Sequence, residues 1–255
     1  MRGTLSRSPS CEPFTRLSFR PLGDARREAR TVSDLWRASR AAGPLVGSGG
    51  EAGDLLELTG RIATETAFKT LAPGRRVLHL ATHGFFLDGR CGAAARRGPV
   101  PGAVSVVTAD DSPLLRAGLA LAGANRRTAA DADRDDGILT AEEVAAVNLA
   151  GVEWAVLSAC NTGVGDWVAG EGVLGLRRAF EMAGAHTVIM SLWPVGDATT
   201  ASWMARLYRQ RFVARAQTLE AVRAASLGLL RDARARGAST HPARWAGFIA
   251  AGDWR

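Results

Sequence analysis

Lysine is almost missing from this 255-residue chain: Lys69 is the only one, so nearly all of its 32 basic residues are arginine. The formal charge of +7 is therefore an arginine charge set against 25 acids, and the arginines cluster only around residues 26–30 and 231–236. A nucleic-acid footprint needs basic charge gathered on one face. Scattered arginine, enriched with alanine at the expense of lysine, is read more simply as GC-rich coding bias, and no nucleic-acid partner is expected. Cysteine is scarce as well. Cys11, Cys91 and Cys160 have no regular spacing, which excludes a disulfide framework and fits a reducing compartment. Apolar runs are short, none approaching the roughly 20 residues that span a bilayer. Residues 1–20 are basic without an apolar signal core. A cytoplasmic protein with no membrane partner is expected.

What is present suits a globular α/β protein: 47% hydrophobic and 22% charged residues in a chain long enough to bury a full core. Residues 1–20 lack periodicity and read as a disordered or truncated N-terminal segment, leaving 21–255 as the folded domain. Apolar residues at helical spacing (Ala25, Ala29, Val32, Leu35, Trp36) predict an amphipathic helix over 24–40, followed by a glycine-rich loop at 43–53. Residues 54–58 read as a short strand, 64–71 as a helix capped by Thr64, and 76–82 as a buried strand ending at His83-Gly84. The stretch 85–134 reads as irregular, and a loop of that length is more often functional than idle. Thr140 caps a helix over 141–147, with Glu143 in the capping-box position. A strand at 155–157, a loop, an amphipathic helix and a strand at 187–193 follow. Helices over 198–214 and 218–236 and an apolar strand at 245–250 complete the chain. Strands alternating with helices predict a mostly parallel sheet.

Two residues carry the chemistry. Free cysteine is usually a buried, inert residue, but Cys160 ends a strand and runs into Asn161-Thr162-Gly163, out of the sheet. His83 likewise ends a strand, followed by Gly84, which permits close approach of a substrate. If the two strands are neighbours in a parallel sheet, their carboxyl ends share one edge, where open α/β sheets place their sites. A thiol becomes nucleophilic near neutrality when an adjacent histidine takes its proton or lowers its pKa.

Three other motifs fail on context. His79 and His83 are spaced like a helical zinc pair, but the segment reads as a strand and lacks the glutamate of His-Glu-x-x-His. Gly170-Glu-Gly172-Val-Leu-Gly175 matches the dinucleotide fingerprint, yet it does not begin at a strand end and carries an acid where a pyrophosphate would lie. Asp131, Asp133, Asp135 and Glu142 imitate a calcium loop, with Gly137 one place late and no leading helix. Neither a metal nor a cofactor is expected.

Taken together, Val77-Leu-His-Leu-Ala-Thr-His-Gly-Phe-Phe86, Arg116-Ala-Gly-Leu-Ala-Leu-Ala-Gly-Ala-Asn125, Gly137-Ile-Leu-Thr-Ala-Glu-Glu143, Leu157-Ser-Ala-Cys-Asn-Thr-Gly163, Gly170-Glu-Gly-Val-Leu-Gly-Leu-Arg-Arg-Ala-Phe180 and Ser191-Leu-Trp-Pro-Val-Gly-Asp-Ala-Thr199 resemble the CHAT domain. The closing Trp245-Ala-Gly-Phe-Ile-Ala-Ala-Gly-Asp-Trp254 fits it too. The CHAT domain is a caspase-like family of clan CD cysteine peptidases. The resemblance implies a three-layer α/β sandwich with a mostly parallel central sheet. It also implies a His83–Cys160 dyad that hydrolyses peptide bonds through a thioester, with the backbone N–H groups of Gly84 and Cys160 as oxyanion hole. Glu171 would shape the floor beside Cys160. The loop after Trp193 would border the pocket for the P1 side chain (the substrate residue before the scissile bond), where separases carry an acid that binds a basic P1 side chain. Asp197 is the matching position. Two departures from the pattern stand out: residues 1–20 offer no good apolar run for the family's first central strand, and no tetratricopeptide repeats precede the domain. The expectation is a partner-regulated endopeptidase of a bacterial signalling or defence system acting on a protein or peptide. The alternative is a catalytically idle interaction module of the same fold.

Overall fold

The computed structural model describes residues 18–41, 55–86, 114, 117–126, 135–159 and 171–254. The predicted first helix is α1, Ala25–Ala41. Its inward stripe includes Val32, Leu35 and Trp36. Helix α2, Glu65–Leu71, starts where the Thr64 side chain accepts the Ala67 N–H, satisfying an end amide that has no partner within the helix. Strands β1, Val77–Leu80, and β2, His83–Phe86, follow with two residues between them. Next come β3, Ala117–Ala120, β4, Ile138–Thr140, and helix α3, Ala141–Ala146. Thr140 and Glu143 close the anticipated capping box at the start of α3. The remainder is β5, Trp154–Leu157, α4, Glu171–Met182, β6, Thr187–Ser191, α5, Asp197–Tyr208, α6, Thr218–Ala235, and β7, Phe248–Gly252.

The main sheet has the order β1-β5-β6-β7. β1, β5 and β6 are parallel, and β7 is antiparallel to β6. Side chains of a strand alternate between faces, and two separate cores result. On one face Leu78, Ala155, Leu157, Val188 and Met190 pack with Phe68, Val144, Leu176 and Phe180 from α2, α3 and α4. On the other, Trp154, Val156, Ile189 and Phe248 pack with Val32, Trp203, Leu207 and Val222 from α1, α5 and α6. Helix layers on both faces of a mostly parallel sheet make the three-layer α/β sandwich that the sequence predicts.

The structure corrects four local readings. The strand read over 76–82 is Val77–Leu80, and His83, read as ending it, opens a strand of its own. After Leu80 the chain leaves the main sheet, and His83–Phe86 pairs antiparallel with β3, which pairs with β4 in a second, three-stranded sheet. Part of the stretch read as irregular is therefore a sheet. Residues 55–58, predicted as a strand, form none: Leu55 and Leu56 stay exposed, and Glu57 accepts the Ser33 hydroxyl. The last strand begins at Phe248 rather than at residue 245, because a short turn over Pro242–Arg244 comes first. Residues 18–22 carry no strand, although Phe19 is buried. Among the described residues β1 is one edge of the main sheet. The loop predicted at 43–53 and the acids Asp131 and Asp133 lie outside the described residues.

Candidate active site

β1 and β5 are neighbours, with Leu80 opposite Leu157 in the parallel register, so the two chains leave the sheet side by side. One continues through Ala81 and Thr82 into His83 and Gly84. The other continues through Ser158 to Ala159. Cys160 itself lies outside the described residues, as do residues 161–170. The chain that leads to it, however, runs against Gly84: a Cβ built on Gly84 would sit 3.4 Å from both the Cβ and the carbonyl oxygen of Ala159. Glu171 is the first residue of α4, and its side chain is outside the described set.

His83 is buried in the first position of β2, opposite Ala120. Its Nε2 lies 2.5 Å from the backbone carbonyl oxygen of Arg20. A carbonyl only accepts, so Nε2 carries the proton, and in the neutral ring Nδ1 is the basic nitrogen. The Phe19 ring leans on the imidazole with centroids 5.6 Å apart and on Phe85 at 5.9 Å. Phe19 is fixed in turn by Asn125: its N–H donates to Oδ1 at 2.8 Å, and Nδ2 donates to its carbonyl at 2.7 Å. Sequence reasoning missed this contact. A backbone carbonyl has no side-chain signature, and the segment around Phe19 lacks periodicity. The one available signal was Phe19 itself, one of a few large apolar residues in a segment without periodicity.

Asp197 opens α5, and its Oδ2 accepts the backbone N–H of Asp24 at 2.9 Å. Residues 18–24 thus run from the His83 ring to the Asp197 carboxylate. Four residues span at most about 14 Å between Arg20 and Asp24, so this short segment links the two predicted site residues. Trp193, the other predicted pocket residue, donates its indole N–H to Ala243 O at 3.0 Å, and Gly247 packs against its ring.

Two polar clusters lie elsewhere. His79 faces the α1–α5 layer, with Nδ1 3.0 Å from the Tyr208 hydroxyl and Nε2 2.9 Å from buried Glu28. Complete burial, together with the Glu28 charge, raises the Tyr208 pKa well above that of an ordinary phenol. Lys69 donates to Glu65 at 3.1 Å, Asp135 at 3.1 Å and Glu143 at 2.9 Å. Burial alone would lower its pKa, but these bonds outweigh it and hold the ammonium above the usual lysine range. Glu65 is pushed upward by burial, against the pull of Lys69 and of the Gly137 N–H. Asp135, one of the acids that imitate a calcium loop, is engaged here with Lys69. Among the described residues, no group of three metal-ligating side chains occurs.

The model of the CHAT domain family matches residues 5–253. The chain belongs to the CHAT domain family. The mostly parallel sheet between two helical layers is its caspase-like sandwich. Two curated relatives are both named tetratricopeptide repeat protein 28. The human protein is 35% identical over 88 residues, covering 34% of this chain and 3% of the relative. The mouse protein is 33% identical over 118 residues, covering 46% and 4%. This CHAT domain therefore matches only a few per cent of the length of those relatives.

Proposed function

We propose that this CHAT domain is a cysteine endopeptidase in which Nδ1 of His83 takes the proton of Cys160. The observation that carries the reading is the contact of Gly84 with Ala159, which brings the His83–Gly84 pair beside the residue preceding Cys160. The thiolate would attack the scissile carbonyl, and the resulting oxyanion would be held by the N–H groups of Gly84 and Cys160. Collapse to a thioester releases the amine, protonated from His83, and water then frees the acid and restores the thiol. Asp197 is our candidate for the P1 pocket and favours Arg or Lys there, since one of its oxygens remains beyond the bond to Asp24. Glu171 and Trp193 stay candidates for the pocket's surroundings on the family resemblance alone. Among the described residues no helix is long and apolar enough to cross a membrane, and a thiol nucleophile suits a reducing cytoplasm.

The relatives' name supports a protein partner that acts through tetratricopeptide repeats, and we assign such a partner the regulatory role. The same name favours a second reading, an idle module that receives a partner. The bacterial setting expected from the sequence finds no support in these relatives, which are mammalian. Cleavage of a fluorogenic peptide library tests both readings. We expect cleavage after Arg or Lys, its loss in Cys160→Ala and weaker cleavage after Arg in Asp197→Ala. Wild-type cleavage that Cys160→Ala leaves intact contradicts the peptidase reading. Cleavage after Arg unchanged in Asp197→Ala contradicts the pocket assignment.

A further inference from the structure

Asn125 spends both of its side-chain groups on the backbone of one residue. Its two bonds to Phe19, at 2.8 and 2.7 Å, reproduce what a strand partner would give and hold that peptide in one orientation. The next carbonyl along the chain is the Arg20 oxygen that meets Nε2 of His83. The Phe19 ring, held by the same clamp, lies against the imidazole. Asn125 is itself rigidly placed. It sits in the tight turn Ala124–Arg126, where the Arg126 N–H donates to Gly123 O at 2.7 Å. Gly137 braces that turn: its carbonyl accepts the Leu121 N–H at 2.7 Å, and a Cβ at Gly137 would lie 2.0 Å from Ala124 N.

We propose that Asn125 is a positioning residue for the candidate base. It places the Arg20 carbonyl, which fixes the proton on Nε2 of His83 and leaves Nδ1 as the nitrogen that meets the thiol. The inference rests on the dyad reading for its catalytic meaning, whereas the hydrogen-bond chain from Asn125 to His83 stands on geometry alone. A purely structural asparagine would stabilise the fold without controlling one imidazole proton.

The test uses the full chain labelled with ¹⁵N-histidine, with the His83 signal assigned among the four histidines by its loss in His83→Ala. We expect a Nε2 proton of His83 protected from water exchange in the wild type and lost in Asn125→Ala. Labelling of Cys160 by a peptide acyloxymethyl ketone should slow about tenfold to a hundredfold in that variant, with the probe concentration for half-maximal rate unchanged. Asn125→Asp keeps the acceptor for the Phe19 N–H but loses the donor to its carbonyl, so it should give a smaller change in the same direction and covers the case in which Asn125→Ala fails to fold. Wild-type protection of that proton in folded Asn125→Ala, or in Asn125→Asp where the alanine variant does not fold, overturns the inference. So does a wild-type labelling rate in both variants when His83→Ala abolishes labelling. Labelling indifferent to His83→Ala would instead defeat the dyad, and with it the catalytic meaning of Asn125. That outcome is distinct from failure of the clamp, which the proton signal reads independently.

Discussion

Raising the pH above 10 should unfold this protein unusually steeply, and the structure sets the slope. Tyr208 is the chain's only tyrosine and Lys69 its only lysine. Unfolded, they would titrate near their ordinary values of 10.0 and 10.5; folded, both are shifted upward. Both groups therefore keep their protons in the native state over a range where the unfolded chain has lost them. The stability they contribute is fully present below pH 10 and is lost as pH climbs from there. Each proton held only by the native state costs about 1.36 kcal/mol per pH unit, so two give about 2.7 kcal/mol per unit once both unfolded groups have ionised. Arginines titrate too high to contribute in this range. Urea midpoints from about pH 9 to about pH 12, converted with a common m-value, measure the slope. Tyrosinate absorbance, which reports Tyr208 alone, should rise only with the unfolding transition. Lys69→Met should lower the slope to about 1.4 kcal/mol per unit and Tyr208→Phe should do the same. Tyrosinate forming near pH 10 in a protein that is still folded would refute the burial argument.

Two substitutions probe the framework around the site. Gly137 has φ +88°, and a Cβ there meets Ala124 N at 2.0 Å, whereas Gly74, at φ +76°, has nothing within 4 Å. Gly137→Ala should therefore cost about 1–3 kcal/mol more than Gly74→Ala in urea unfolding, the excess being steric. Equal losses would show that the crossing of Gly137 with the Asn125 turn is not tight. Tyr208→Phe removes the hydroxyl partner of His79 Nδ1 and should destabilise by about 1–3 kcal/mol at neutral pH. A neutral result would mean that the ring nitrogen is satisfied elsewhere.

The main sheet was legible because its strands are short apolar runs buried on both faces, as in Trp154-Ala-Val-Leu157, and its helices announce themselves by threonine caps and apolar stripes. The second sheet was not. Its middle strand, Ala117-Gly-Leu-Ala120, has little β-propensity, and Gly118 is there for space: a Cβ would lie 2.7 Å from the Phe85 ring. With that partner invisible, Phe85 and Phe86 read as the start of a loop. The reading of 54–58 as a strand erred the other way: among the described residues 55–58 form no strand despite three leucines. At the candidate site, the histidine and its glycine were picked out from residue type and an expected placement at a strand end, whereas His83 opens β2 of the second sheet. The Arg20 carbonyl and the Asn125 clamp were not, because they join backbone groups to side chains 63 and 106 positions away, and a single sequence carries no sign of such pairings. Asp197 was read as a pocket acid; what the structure shows is its bond to Asp24, which ties the start of α1 to the loop after β6.

The dyad is tested most directly by mass-spectrometric mapping of a peptide acyloxymethyl ketone on the reduced wild type and on folded His83→Ala. The account predicts selective adduct formation on Cys160 over Cys11 and Cys91 in the wild type, slowed about a hundredfold or more without the imidazole. Absence of a Cys160 adduct, or an equal rate in His83→Ala, would contradict it.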